Sequence, residues 1–181
     1  MGNIIKYIAF LRGINVGGRK IVKMEELKKA FESLGLKNAK TFLASGNVLF
    51  DAQKTDLLSL GKRIEEGLKK KFGLEVNVIL RTVREIQELA DSNPFIKITV
   101  TPQTRLYVTF LSERPKAGIR IPYETPEKDF KIVHVSDFEV CSVLTLSPNR
   151  GTVDAMSILE KTFGRNVTTR NWNTVTKLLK G

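Results

Sequence analysis

The chain has 181 residues, enough to bury a proper core as one large domain or two small ones. A content of 41% hydrophobic and 27% charged residues is ordinary for a globular protein and gives no sign of disorder. The formal net charge is +11, which admits nucleic acid, anionic surfaces and phosphorylated molecules as partners.

In chain order, Ile4 to Leu11 is an apolar run of strand length, followed by a glycine-rich segment from Gly13 to Gly18. Met24, Leu27, Phe31 and Leu34 then recur at helical spacing, with Gly35 as the stop. Two short strands, from Ala39 to Ala44 and from Val48 to Ala52, are expected around a turn at Ser45, Gly46 and Asn47. A helix follows from about Thr55 to Phe72, with Leu57, Leu60, Ile64, Leu68 and Phe72 on its apolar face. Gly73 closes it, and Val76 to Leu80 is the next strand. The order β-α-β-β-α-β is ferredoxin-like, and we assign it to residues 1–92.

The remainder, residues 93–181, reads as a second α+β subdomain. Thr82 and Glu85 have the capping-box spacing of a short helix that ends before Asn93 and Pro94. Strands are expected from Arg105 to Leu111, Phe130 to Val135 and Glu139 to Leu146, with a surface loop from Pro115 to Pro126 and a turn from Ser147 to Gly151. Two helices, from about Val153 to Phe163 and from about Asn171 to Lys180, close the chain. The segment from Arg165 to Thr168 between them allows a helix-turn-helix. The fold class is therefore α/β in the α+β sense.

One cysteine, Cys141, forms no internal disulfide, and its apolar neighbours suit a packed thiol better than a nucleophile. With a single histidine, His134, one chain assembles no zinc site of His and Cys ligands. No run approaches the roughly 18 apolar residues of a membrane span, and the apolar start lacks a leader's cleavage pattern. A cytoplasmic protein without membrane contact, metal or cofactor is the expectation.

The placement of the charge is more informative than its total. Residues 1 to 23 carry Lys6, Arg12, Arg19, Lys20 and Lys23 with no acid, and residues 161 to 181 carry Lys161, Arg165, Arg170, Lys177 and Lys180 with no acid. Ten of the eleven net positive charges thus come from the two ends. Domain termini often lie close together, so a shared basic face is expected.

Two segments are candidates for a site. The first holds Arg12, Gly13, Asn15, Gly17, Gly18, Arg19 and Lys20, where glycines let backbone amides converge on an anion. The spacing of Gly13 and Gly18 imitates a nucleotide-binding loop, but Arg19 and Lys20 stand where that motif needs Lys and Ser or Thr. The second holds Arg170, Asn171 and Asn173, residue types that read base edges at the start of a recognition helix. Capping by Thr169 or Asn171, and a core face of Trp172, Val175, Leu178 and Leu179, is the simpler reading. Tyr7 stands where an RNA-recognition module stacks a base, although Phe50 belongs to the core. No catalytic constellation is present.

Three strings, YIAFLRGINVGGRK (Tyr7 to Lys20), ASGNVLFDA (Ala44 to Ala52) and TTRNWNTVTKLLK (Thr168 to Lys180), resemble the family called domain of unknown function 1697. The resemblance implies an α/β fold of two subdomains, the first ferredoxin-like, and implies no activity, substrate or catalytic residue. The expected function rests on the residues alone: non-catalytic binding of a polyanion, nucleic acid first, through a basic face made by both ends. The alternative is an enzyme or binding protein for a small phosphorylated ligand held at the Gly13 to Gly18 loop.

Overall fold

A computed structural model describes residues 2–16, 18, 21–115, 120–148 and 153–180. The chain divides into two units, Met1–Gln87 and Glu88–Gly181. In the first, strand β1 (Ile4–Leu11), helix α1 (Met24–Ser33), strands β2 (Lys37–Phe42) and β3 (Asn47–Gln53), helix α2 (Leu57–Phe72) and strand β4 (Val78–Thr82) follow in turn. Their sheet runs β2-β3-β1-β4 with antiparallel pairings, which is the ferredoxin-like arrangement expected.

Local chemistry sets the ends of these elements. The Asp56 carboxylate accepts a hydrogen bond from the Ser59 amide at 2.8 Å and caps α2, so the helix begins later than Thr55. Gly73 ends it at φ 66°. Because strand side chains alternate, Tyr7, Ala9 and Leu11 of β1 join Val48 and Phe50 of β3 in one core with Leu27, Phe31, Ile64 and Leu68 of the helices. The Tyr7 and Phe50 rings stack with centroids 5.7 Å apart, and Phe31 meets Phe50 edge-on at 5.4 Å. Phe50 is the core residue expected. Tyr7 is buried as well, which corrects its reading as a platform for a base: its position on β1 points it inward.

Helix α3 (Val83–Asp91) follows β4 directly and contains the division between the units. Its capping box forms as written: the Glu85 carboxylate accepts from the Thr82 amide at 2.7 Å, and the Thr82 hydroxyl accepts from the Glu85 amide at 3.1 Å. The second unit then contains β5 (Thr104–Leu111), β6 (Tyr123–Glu124), β7 (Phe130–Val135), β8 (Glu139–Thr145), α4 (Ala155–Phe163), β9 (Val167–Asn171) and α5 (Trp172–Leu178). The sheet order is β6-β7-β8-β5-β9. Leu111, Phe130, Ile132, Val140 and Leu144 pack with Leu159 of α4 and Val167 of β9.

The segment between the last two helices differs from expectation. It is strand β9, paired antiparallel with β5 from Val167 opposite Leu111 to Asn171 opposite Tyr107. Val167, Thr168 and Thr169 are β-branched in succession, a run that favours a strand over a turn. The Thr109 and Thr169 hydroxyls add a hydrogen bond at 2.8 Å across the pair. A helix-turn-helix is therefore absent at this place. Among the described residues, no helix is long and apolar enough to cross a membrane.

Candidate functional site

At one end of the first unit's sheet, the segment after β1 is tied to the turn between β2 and β3. The tie is made by Asn15. Its amide nitrogen donates to the Val22 carbonyl at 3.0 Å and to the Ala44 carbonyl at 2.9 Å, while its oxygen accepts from the Val22 amide at 2.7 Å. Each hydrogen-bonding group of that short side chain bridges backbone. Asn15 stands at φ 54°, in the left-handed region that asparagine tolerates better than most residues. Next to it Ile14 is buried and leaves no room at Gly46, where a Cβ would come within 2.7 Å of Ile14 Cδ1. The backbone completes the join, with the Leu11 amide donating to Gly46 at 2.8 Å and the Arg12 amide to Asn77 at 2.9 Å. Behind the turn, the buried Asn47 amide donates to the Phe42 carbonyl and to Ser45 Oγ, both at 3.0 Å.

This arrangement sorts the first group of candidate residues. Asn15 acts as a brace. Arg12 is half-buried, and Gly13 and Gly18 are exposed at φ 70° and 71°, with open space where a Cβ would stand. Gly17, Arg19 and Lys20 lie outside the described residues. In the sequence the loop and the turn are separate segments. Their bond through Ala44 had no sequence signal beyond the presence of an asparagine between glycines.

Two of the three strings that carried the resemblance meet at this brace. A family described as "Protein of unknown function (DUF1697)" matches residues 4–140, more than half of the chain. The chain belongs to the DUF1697 family. The structure of this DUF1697 protein is similar to that of conserved bacterial protein SP0830 from Streptococcus pneumoniae, with a TM-score of 0.71 and 19% identity over 98% of each chain. At that identity the likeness is one of fold. None of the curated proteins matches the chain.

The third string of this DUF1697 protein lies beyond the matched residues and forms β9 and α5. Arg170 is buried there, donating to the Thr168 hydroxyl at 2.7 Å and the Thr169 carbonyl at 3.0 Å. Burial pulls its guanidinium down to about 10, so it remains charged at neutral pH. The Asn171 side chain accepts from the Asn173 amide at 2.9 Å and caps α5. Trp172 packs on Phe95 with centroids 5.3 Å apart, and Val175 and Leu178 are buried. Of the three candidate residues in this string, only Asn173 is exposed. Arg170→Ala is expected to destabilise the fold by about 2–4 kcal/mol, because it orphans buried partners; urea unfolding checks this.

Cys141 lies on β8, fully buried, with its thiol pushed up to about 12 by burial and then by the charge of Glu139. A thiol-specific disulfide reagent should leave the native protein unmodified and titrate one thiol after denaturation. Modification of the native protein at a free-thiol rate would contradict this burial. Among the described residues, no group of three or more His, Cys, Asp and Glu side chains is arranged to hold a metal ion.

Proposed function

We propose that this protein binds nucleic acid without catalysis, through the basic segment that follows β1. The observation that carries the reading is the Asn15 brace. It fixes the chain at Asn15 and Val22, between β1 and α1, and the charges of that part of the sequence, Arg12, Arg19, Lys20 and Lys23, are all positive. Arg12 and Lys23, close in sequence to that fixed backbone, meet phosphates with less ordering cost than cations on a free chain. In the second unit, Lys161, Arg165, Lys177 and Lys180 are exposed and supply charge of the same sign, whereas buried Arg170 does not. Its single, buried cysteine suits a cytoplasmic protein.

The test is fluorescence anisotropy with labelled DNA and RNA, single- and double-stranded, across a salt series. Each phosphate neutralised on a duplex contributes about −0.9 to the slope of log K against log salt. Removing Arg12 or Lys23 as alanine should flatten the slope by about that amount each. Arg170→Ala should leave the slope unchanged. Absence of binding at low salt would overturn the proposal. A second reading rests on the open space at Gly13 and Gly18, where a small phosphorylated ligand has access to backbone. It predicts weak salt dependence and loss of binding on Gly18→Ala.

A further inference from the structure

We propose that the braced end of the first unit carries an aliphatic wedge for double-stranded nucleic acid, formed by Val16, Ile21 and Leu43. This inference rests on the nucleic-acid reading and names its mode. The three side chains are 64%, 73% and 59% exposed. Each directly adjoins a residue of the brace: Val16 follows Asn15, Ile21 precedes Val22, and Leu43 precedes Ala44. One step of chain is about 3.8 Å, so the brace gathers all three at the same end of the unit. Isolated exposed aliphatics are ordinary, but a set held together by one side chain is a surface feature.

The backbone supports the same conclusion. Leu43 has φ 58°, a left-handed conformation that a bulky residue rarely adopts. An outlier of this kind, persisting at an exposed tip, points toward a functional position. It presents a leucine to solvent where a glycine or asparagine would turn the chain with less strain.

Charge and side-chain type select the partner. No acid occurs among residues 1–23, and Arg12 and Lys23 flank Val16 and Ile21 in sequence, which complements a phosphate backbone. Modules that hold single strands stack bases on aromatic rings. In this unit Tyr7, Phe10, Phe31 and Phe50 are buried and Phe42 and Phe72 are half-buried, so no described aromatic is exposed as a platform. Aliphatic side chains instead enter the minor groove of a duplex and part a base step, with basic residues on the flanking phosphates. Pyrimidine–purine steps, which unstack most easily, are the preferred sites.

The test uses the full chain and a short DNA duplex with 2-aminopurine at a central TpA step. Saturation with the protein should raise 2-aminopurine fluorescence, as the base leaves the stack. The Ile21→Ser, Leu43→Ala variant should bind about tenfold more weakly, with the salt slope unchanged and no fluorescence rise. Ile96→Ala, which alters an equally exposed aliphatic in the second unit, should behave as the native protein. Salt-dependent duplex binding with no rise for the native chain would overturn the wedge and leave the nucleic-acid reading standing. Failure to bind any nucleic acid would overturn both. Binding to phosphatidylserine vesicles that is lost in the double variant, without unstacking of the duplex, would also overturn the wedge and assign the surface to lipid.

Discussion

Gly46→Ala should lower the unfolding free energy by about 2–4 kcal/mol, the largest effect expected of any added methyl group at this site. Two terms combine. Gly46 has φ 75°, which disfavours any L side chain by roughly 1–2 kcal/mol. The new Cβ would also meet Ile14 Cδ1 at 2.7 Å, Ile14 Cγ1 at 2.8 Å and Leu11 Cβ at 3.0 Å. Ile14 and Leu11 are each 1% exposed, so neither has space to withdraw. Gly13→Ala separates the terms: its φ is 70°, but nothing lies within 4 Å of its Cβ position, so it carries the conformational part alone. Combining Gly46→Ala with Ile14→Val should recover part of the steric loss. Equal effects of Gly46→Ala and Gly13→Ala in urea denaturation would refute the close approach of Ile14.

Asn15→Ala should have an effect of similar size, about 2–4 kcal/mol, from loss of the three bonds to Val22 and Ala44 at a left-handed position. Asn15→Gly removes the same bonds but accepts the backbone angle, and should be milder by about 1 kcal/mol. Both variants expose the Val22 amide, which in the native chain donates to Asn15 at 2.7 Å. Hydrogen exchange at Val22 should therefore accelerate in both, more than at amides within β1. Unchanged protection of Val22 would show that another group holds the loop.

The contrast between these two positions explains what the sequence makes legible. The first unit was readable because its strands and helices are local and periodic: Leu60, Ile64 and Leu68 repeat at helical spacing and are buried together. Gly46 was legible as a turn residue, yet its contact with Ile14 joins segments distant in sequence, and no local pattern encodes it. The second unit was harder for the same reason. Val167 to Asn171 pairs with β5, and that partner lies some sixty positions earlier, as the Thr109 and Thr169 hydroxyls show. Thr169 and Asn171 are cap-type residues as well as neighbours of a β-branched run, so the local sequence marks the start of α5 without marking the strand before it. Exposed Val16, Ile21 and Leu43 carried no sequence signal, because an apolar residue in a loop reads as core until its surroundings are known.

Arg170 illustrates how charge counted along a chain differs from charge offered to a ligand. It belongs to the acid-free C-terminal segment, and on β9 it alternates to a buried position with its donors directed at Thr168 and Thr169. Of the five cations in that segment, the other four remain exposed.

An amide chemical-shift titration of the full chain with a DNA duplex tests the central claim most directly, because it locates binding without altering the protein. The account predicts that shifts concentrate on residues 12–23 and 43–46, the two segments joined by Asn15, and fade as salt is raised. Shifts confined to other surfaces, or none at low salt, would contradict it.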